Sequence, residues 1–302
     1  MSQNITAVVV TFNRLEYLKR ILNRLLTISE ISKIIVVDNH STDGTRKWLE
    51  SLTEENLTPL FLTENKGGAG GFHEGLKSAF SSGSDYFWLM DDDGLPNPDC
   101  LSKLLPFSNE FDFIGPAVVA EHDNQLLCFP VRIPNTVTPL REYNALKSAA
   151  TNGVIPGVVI PFNGVLLSSS LVSKIGFPRA EFFIWGDDVE YLWRAEAAGV
   201  KIGTVVDSIF QHPMTDDLGT PMMFHKTTYN HSPSDLKHFC MVRNNTVNLL
   251  KYRSVAHVGA FWLKTLWFYS FVKPSVSRLK ISVIAASHGL KGIFSGHQKF
   301  LR

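Results

Sequence analysis

The first hundred residues alternate short apolar runs with segments of helical spacing. The runs at 5–10 and 31–37 are too short for core helices, and they predict buried parallel strands. Leucine and isoleucine recur at helical spacing between them, and two further short runs lie at 60–62 and 86–90. This alternation predicts an open parallel sheet flanked by helices, with right-handed crossovers.

The second part of the chain is less regular. Short strands are predicted near 114–120 and 126–131, and a returning strand is predicted at 201–206. Between them, apolar residues recur at helical spacing after Asp187, which predicts a helix starting there.

Charge divides the chain near residue 220. Residues 221–302 contain 12 Lys or Arg and one acid, Asp235, whereas the preceding 220 residues contain 17 basic and 27 acidic side chains. We therefore expect a catalytic domain at 1–220, with a nucleotide-binding half at 1–98 and an acceptor half at 99–220, and a basic helical region at 221–302.

Composition argues against several other classes of protein. With 44% hydrophobic and 19% charged residues the chain can bury a core, so disorder is not expected. Cys100, Cys128 and Cys240 lie far apart, which argues against a zinc site or a disulfide framework. No basic region precedes the first apolar run, so no secretory signal is indicated and we expect a cytoplasmic protein. The sequence has no motif of a nucleic-acid-binding module, so we expect no nucleic-acid partner.

Polar clusters follow three of the predicted strands. Thr11 to Arg14 follow the first strand, Asp38 follows the second, and Asp91 to Asp93 follow the fourth. Ligands of open α/β sheets bind outside the carboxyl ends of the strands. We therefore expect these three clusters to converge on one crevice.

The run Asp91-Asp92-Asp93 comes directly after a buried strand. Adjacent carboxylates repel one another, and a divalent cation with oxygen ligands would relieve that repulsion. Alternation along an extended backbone places Asp91 and Asp93 on one side, so we predict these two as the metal-facing pair, with Asp93 as the direct ligand. The alternative is a solvated acidic turn, against which the buried strand before the run argues.

Two further segments carry candidate chemistry. Residues 65–72 are glycine-rich and lead into a predicted helix, whose N-terminus suits a diphosphate, although a flexible loop would have the same composition. Asp187, Asp188 and Glu190 lie at a helix start beside Trp185, and helix capping explains one acid but not three. We predict Asp188 as a general base oriented by Asp187 or Glu190, and Trp185 as a stacking surface for a sugar.

Taken together, these segments resemble the inverting family 2 glycosyltransferases of the GT-A fold. The resemblance spans roughly residues 5 to 250 and rests on Thr11-Phe12-Asn13-Arg14, Val37-Asp38-Asn39, Asn65 with the glycine run, Asp91 to Asp93, Asp187-Asp188 and His212. Within that family the chain is most similar to the galactofuranosyltransferases that build cell-surface galactan, through the segments 67–72, 88–94 and 162–164.

The resemblance implies an α/β fold of the GT-A type, in which helices flank a mixed sheet, and a C-terminal helical basic region. It also implies a single displacement with inversion, Asp188 as the general base, and Mn²⁺ or Mg²⁺ held by Asp91, Asp93 and His212. The donor-binding residues would be Thr11, Asn13, Arg14, Asp38, Asn65, Gly70, Gly71 and Asp92. The acceptor-binding residues would be Trp185, Asn163 and Gly164.

The resemblance predicts transfer of galactofuranose from UDP-galactofuranose to a lipid-linked cell-surface polysaccharide of the O-antigen or galactan type. Two alternatives stay open, a family 2 transferase with another donor such as dTDP-rhamnose and a nucleotide-sugar-binding protein without turnover. A Rossmann oxidoreductase is not indicated, because the glycine run does not follow the first strand.

The C-terminal region contains an apolar and aromatic segment at 255–272. His257 and Lys264 interrupt it and Pro274 follows it, so it is short for a membrane span. Aromatic residues mixed with basic ones suit an interfacial helix on an anionic lipid surface. We expect peripheral binding at the inner face of the plasma membrane, with a helix packed on the catalytic domain as the alternative.

Overall fold

The computed structural model describes residues 3–214, 219–224 and 227–301. These residues form two compact units. The first unit comprises 3–178 and Arg194–Met214, and the second comprises Arg179–Trp193 and the described residues from 219 to 301. The basic region expected after residue 220 therefore lies in the second unit, together with the segment Arg179–Trp193 that carries the second acidic cluster.

The first unit is built on one sheet of eleven strands. Its strands are β1 (Ile5–Thr11), β2 (Lys33–Asp38), β3 (Leu57–Phe61), β4 (Tyr86–Asp91), β5 (Leu95–Pro96), β6 (Phe113–Ala120), β7 (Asp123–Val131), β8 (Leu140–Glu142), β9 (Val154–Pro156), β10 (Asn163–Ser168) and β11 (Ile202–His212). Its helices are α1 (Leu15–Leu25), α2 (Thr45–Glu50), α3 (Gly67–Ser81), α4 (Cys100–Leu104), α5 (Tyr143–Ala149) and α6 (Ser169–Ile175).

The sheet is parallel in one half and mixed in the other. Strands follow the order β3-β2-β1-β4-β10-β6-β11-β5, and the first four are parallel, as the apolar runs predicted. Strand β10 then enters antiparallel between β4 and β6. The parallel arrangement predicted for the first four strands and the mixed sheet of the GT-A fold are both confirmed.

Apolar packing on this sheet explains its position at the centre of the unit. All seven residues of β1 are buried, because helices cover both faces of the sheet. Leu18, Ile21, Leu22 and Leu25 form the buried side of α1. Burial of each such side chain contributes roughly 1.5–3 kcal/mol, so this face fixes α1 against the sheet and presents the preceding turn at its carboxyl edge.

The second unit is largely helical. It contains the start of α7 (Asp187–Ala197), a small hairpin of β12 (Thr220–Met222) and β13 (Thr227–Tyr229), and the helices α8 (Asp235–Tyr252), α9 (Val255–Trp267) and α10 (Val276–Lys291). Its core is aromatic and includes Tyr229, Phe239, Phe268 and Tyr269. Among the helices of the described chain, none has the length and apolar character needed to cross a membrane.

Candidate active site

Residues at the end of β1 meet the acidic run after β4, as the convergence argument predicts. Thr11 is the last residue of β1, and its Oγ1 donates a hydrogen bond of 2.6 Å to Oδ2 of Asp92. Asn13 has a positive φ of 54° and joins the next loop through two bonds, since its backbone N–H donates to Ser41 Oγ and its side-chain oxygen accepts from Thr42 N–H. The turn after β1 is therefore fixed from two directions.

Arg14 joins two of the three adjacent aspartates. Its Nη1 lies 2.6 Å from Oδ2 of Asp93 and 3.2 Å from Oδ1 of Asp92. Strand β4 ends at Asp91, and Asp92 and Asp93 lie in a turn. The premise that put Asp91 and Asp93 on one side is therefore wrong, because an extended backbone does not continue beyond Asp91.

Asp93 also contacts His212, the last residue of β11. Nε2 of His212 lies 3.2 Å from Oδ1 of Asp93, and that oxygen is buried and makes no aligned hydrogen bond within the described residues. Nδ1 of His212 lies 2.8 Å from the carbonyl oxygen of Pro213 and 3.5 Å from Sγ of Cys128. A hydrogen bond from Nδ1 to that carbonyl leaves Nε2 as the nitrogen available to a ligand.

The donor set of Asp93 and His212 fits a divalent cation. A buried carboxylate oxygen without an aligned donor, and an imidazole whose Nε2 lies beside it and would release its proton on metal binding, are ligands that Mn²⁺ accepts. Among the residues that the structure describes, no three His, Cys, Asp or Glu side chains surround a common metal position. Substrate phosphates would complete the coordination, as is usual for Mg²⁺ and Mn²⁺ in proteins. The roles predicted for Asp91, Asp93 and His212 stay predictions.

The carboxylates of this cluster have unequal electrostatic surroundings. Burial raises the pKa of Asp92 to about 6, although Thr11 and Arg14 act against that rise. Burial also acts to raise the pKa of Asp93, but the contacts with His212 and Arg14 outweigh it and hold this pKa well below its usual range. Asp93 is therefore the more firmly ionised carboxylate of the two.

Asp38 and the asparagines near it organise the loops rather than standing free. Asp38 is buried at the end of β2, and its Oδ1 accepts a hydrogen bond of 2.9 Å from the backbone of Ser41. Asn39, whose structural role the sequence did not reveal, donates to the carbonyl of Gly67 and accepts from the backbone of Lys66. Asn65 accepts from the backbone N–H of Gly67 at 2.8 Å. These bonds fix the start of α3.

The glycine run is part of helix α3 and not a loop before it. Helix α3 begins at Gly67, within the glycine-rich segment 65–72 that was expected to precede it. A Cβ on Gly71 would lie 2.4 Å from Cγ1 of Val10, and a Cβ on Gly75 would lie 2.5 Å from Cγ1 of Val8. Gly70 is similarly constrained, by the side chain of Lys66 at 2.3 Å. The glycines therefore let α3 pack closely on β1, which places its positive N-terminus at the carboxyl edge of the sheet.

Asn163 and Gly164 lie at the start of β10, next to the end of β4. Asn163 is paired with Met90, and its side-chain amide donates to the carbonyl of Pro161. The carbonyl of Gly164 accepts a hydrogen bond of 2.8 Å from Nε1 of Trp88, and a Cβ at Gly164 would lie 2.6 Å from the ring of Phe210. Gly164 thus has a packing role, and the acceptor-binding role predicted for both residues stays a prediction.

The second acidic cluster lies in the second unit, at the first turn of α7. Asp187 is buried and Asp188 is half-buried. Burial raises the pKa of both carboxyls, and the charge of Asp188 raises that of Asp187 further. Trp185, predicted to stack on a sugar, is partly buried against the aromatic core of the second unit.

Helix α8 supplies side chains that the sequence analysis missed. Tyr252 of α8 donates a hydrogen bond of 2.6 Å to the carboxylate of Glu190, which is fully buried. Nζ of Lys251, also on α8, lies 3.6 Å from the same carboxylate. Asn244 and Asn248 donate to backbone carbonyls of the segment before α7. The available signal was the spacing of Asn244, Asn248 and Tyr252, four residues apart on one side of a helix.

Comparisons with known proteins agree with this geometry. The sequence model of glycosyl transferase family 2 matches residues 6–168. The galactofuranosyltransferase GlfT1 of Mycobacterium tuberculosis is 30% identical over 275 residues, which cover 89% of this chain and 90% of that protein.

Two solved structures share the fold at low sequence identity. TarS from S. aureus in complex with UDP-GlcNAc has a TM-score of 0.57 at 16% identity, over 99% of this chain and 84% of that chain. GalNAc-T7 with UDP, GalNAc and Mn²⁺ has a TM-score of 0.58 at 13% identity, over 96% of this chain and 55% of that chain.

The matched family segment runs from β1 to the end of β10, and it contains the first acidic cluster, the loop after β2 and the glycine helix. The similarity to GlfT1 extends over most of the chain. The chain therefore belongs to glycosyl transferase family 2 and has the GT-A fold.

Proposed function

We propose that the protein transfers galactofuranose from UDP-galactofuranose, with inversion, to a lipid-linked cell-surface polysaccharide of the O-antigen or galactan type. The observation that carries this proposal is the cluster of Arg14, Asp93 and His212 at the carboxyl edge of the sheet. The chain that contains this cluster is 30% identical to a protein named as a galactofuranosyltransferase.

The nucleotide diphosphate is assigned to the carboxyl edge of the sheet. Arg14 is 46% exposed beside Asp92 and Asp93, so its guanidinium can also contact a phosphate. The N-terminus of the 15-residue helix α3 lies at the same edge, and its partial positive charge favours a diphosphate. Thr11, Asn13 and Asp38 hold the loops that would surround the uridine. Of the structures with similar folds, TarS has been solved with UDP-GlcNAc and GalNAc-T7 with UDP.

Asp93 and His212 are the residues proposed to hold Mn²⁺ or Mg²⁺, with Asp91 as a further ligand. A bound divalent cation would stabilise the negative charge that develops on the departing diphosphate. The protein's own contribution is to keep Asp93 ionised, through Arg14, and to keep Nε2 of His212 turned toward that carboxylate. GalNAc-T7, of similar fold, has been solved with Mn²⁺.

Asp188 is proposed to accept the proton of the acceptor hydroxyl as its oxygen attacks the anomeric carbon. A carboxyl whose pKa is raised by burial is a stronger base than an exposed one. Asp187 beside it would favour a proton shared between the two carboxyls. Trp185, Asn163 and Gly164 are the proposed contacts of the acceptor sugar.

A donor screen tests this function. The full chain with MnCl₂ is mixed with a polyprenyl-diphosphate-linked glycan and, in turn, UDP-galactofuranose, UDP-galactopyranose and dTDP-rhamnose. Release of the nucleoside diphosphate and the mass of the product are measured. We expect product from UDP-galactofuranose at a rate at least about tenfold above the other donors. Preferential use of dTDP-rhamnose would reject the donor assignment, and binding of UDP without turnover of any donor would indicate a binding protein.

We also propose that the second unit binds the inner face of the plasma membrane. Val255, Leu263 and Leu266 are exposed at helical spacing on α9, and Val276, Val283 and Leu290 are exposed at seven-residue spacing on α10. Phe271 in the connection between these helices is 69% exposed, and Lys273 and Lys280 are exposed near it. Exposed apolar side chains beside lysines suit an anionic lipid surface, where a lipid-linked acceptor would also lie.

Flotation with vesicles tests the membrane proposal. We expect the chain to float with vesicles containing anionic lipid and to float far less with vesicles of zwitterionic lipid alone. Phe271→Glu should lower the bound fraction by about tenfold, because it removes a large apolar group and adds a repelled charge. Val137→Glu is the matched control, since Val137 is an apolar residue of the first unit that is 88% exposed. Equal flotation of the Phe271 variant and the control would contradict the proposal.

A further inference from the structure

The segment that precedes the second acidic cluster has an unusual backbone. Phe183 and Trp185 both have φ of 66°, and Gly186 between them and the helix has φ of 87°. Non-glycine residues rarely adopt positive φ, and two of them within three positions persist only where the surroundings hold them. The strained loop, defined here as residues 182–186, leads directly into Asp187 and Asp188 at the start of α7.

One side chain of α8 contacts this loop at three points. Nδ2 of Asn244 lies 3.0 Å from the carbonyl oxygen of Phe182, 3.1 Å from that of Ile184 and 2.7 Å from that of Trp185. Asn244 itself is fully buried. The two N–H groups of this amide therefore face three carbonyl oxygens of the strained loop, which form no helix or strand bonds that would otherwise fix the chain there.

Neighbouring residues of α8 fix the orientation of this amide. Nε of Arg243 donates to Oδ1 of Asn244 at 2.9 Å, which leaves Nδ2 facing the loop. Nη2 of the same fully buried arginine donates to the carbonyl of Phe182 at 2.8 Å. One turn further along α8, Nδ2 of Asn248 donates to the carbonyl of Gly186 at 2.7 Å.

We propose that Asn244 is a positioning residue of the transferase, which holds the strained loop in the conformation that fixes the carboxylate of Asp188 for proton transfer. Asn248 supports the same conformation at the last residue of the loop. This inference rests on the proposed role of Asp188 as the general base. It goes beyond that role, because it assigns the placement of the base to a side chain 56 positions away in the sequence.

The test compares Asn244→Ala with Asn245→Ala, a half-buried neighbour on the same helix. Turnover of UDP-galactofuranose with the polyprenyl-diphosphate-linked glycan, affinity for UDP, and hydrogen exchange of the peptide over residues 182–189 are measured. We expect Asn244→Ala to lower kcat about 10- to 100-fold, because misplacement of a base by a fraction of an ångström is costly. Affinity for UDP should change by less than about twofold, and exchange of the loop should increase. Asn245→Ala should leave all three measurements unchanged.

A double-mutant cycle separates positioning from general structural damage. If Asn244 acts through Asp188, then Asn244→Ala should have little further effect on turnover in the Asp188→Asn background. Full additivity of the two losses would overturn the proposal, and so would unchanged exchange of the loop in Asn244→Ala. If Asp188→Asn alone keeps wild-type turnover, the base assignment fails, and increased exchange of the loop then supports only the holding role of Asn244. Should Asn244→Ala not fold, Asn248→Ala takes its place with the same expectations at smaller amplitude.

Discussion

Nε2 of His212 lies 3.2 Å from Oδ1 of Asp93, although 119 positions separate the two residues in the sequence. The contact joins the last residue of β11 to the turn after β4. It depends on the order of strands in the sheet, because β10 and β6 lie between β4 and β11. A carboxylate and an imidazole brought together in this way are the types of ligand that divalent transition metals accept in proteins.

Substitution at this pair should abolish metal-dependent transfer. Asp93→Asn removes the charge beside His212, and we expect kcat/KM to fall at least about 100-fold, which corresponds to about 2.7 kcal/mol. Calorimetric titration of Mn²⁺ into the protein in the presence of UDP measures the accompanying loss of metal affinity. Glu121→Gln, at a surface ion pair with Arg20, is the control and should bind Mn²⁺ like the wild type. Wild-type affinity for Mn²⁺ in Asp93→Asn would contradict the assignment.

We expect substitution of Arg14 to lower the affinity for the nucleotide more than the stability of the fold. Arg14→Ala removes a cationic contact of Asp92 and Asp93 and the proposed contact with the diphosphate, so affinity for UDP should fall about tenfold. Isothermal titration with UDP checks this expectation. Arg20→Ala, on the adjacent helix α1 with its ion pair to Glu121, should bind UDP normally. Equal affinities of the two variants would remove Arg14 from the donor site.

The close packing of α3 on β1 predicts opposite effects on stability for alanine substitutions at two glycines of this helix. Gly71→Ala places a Cβ 2.4 Å from Val10, so we expect the free energy of unfolding to fall by about 1–3 kcal/mol. Gly68→Ala is the matched control, because its Cβ meets no described atom outside its own helix within 4 Å. There the loss of backbone freedom in the unfolded chain should stabilise the protein by roughly 0.5–1 kcal/mol. Urea unfolding of both variants measures the difference, and equal shifts would show that close packing does not constrain Gly71.

The raised pKa of Asp187 predicts how the stability of the protein depends on pH. Burial and the charge of Asp188 raise its pKa in the folded protein above the value of an unfolded chain, about 3.9. Its contribution to stability is therefore fully present below that unfolded value and is lost as the pH rises through the folded pKa. The side chain in Asp187→Asn carries no charge at any pH. At pH 8 the free energy of unfolding of this variant should therefore exceed that of the wild type by more than about 1 kcal/mol.

That advantage of Asp187→Asn should shrink steadily as the pH is lowered toward 4, where the wild-type carboxyl is protonated in both states. Thermal or urea unfolding at several pH values checks the trend. Glu54→Gln, at an exposed carboxylate, is the control and should follow the wild type. A constant difference between Asp187→Asn and the wild type across this range would contradict the assigned cause.

The local pattern of the sequence was sufficient for one half of the sheet. The apolar runs predicted β1, β2 and β4. The rule that ligands bind at the carboxyl ends of strands predicted that Thr11 and Asp92 lie close together, and these two residues form a hydrogen bond. The alternation argument failed at Asp92 because a strand's end is set by its neighbours, and β4 pairs with β1 only as far as Asp91. The glycine run of α3 has the composition of a loop. Its role could not be predicted locally for a similar reason, because Gly71 is required by its close approach to Val10 on β1.

Contacts between distant segments account for what the sequence analysis missed. Strand β10 carries only a short apolar run, and its place between β4 and β6 comes from pairing on both sides. Asn244 looks like an ordinary polar residue of a helix until the carbonyls of residues 182–185 are placed beside it. Such pairings depend on tertiary structure, and residue type and spacing within a segment do not specify them.

The most direct measurement is transfer from UDP-galactofuranose by wild type and Asp188→Asn at saturating Mn²⁺, with the anomeric configuration of the product determined by NMR. We predict an inverted product from the wild type. We also predict a loss in kcat of at least about 100-fold in Asp188→Asn, with unchanged affinity for UDP. A product that retains the donor's configuration, or an Asp188→Asn variant within about threefold of wild-type kcat, would contradict the proposed mechanism.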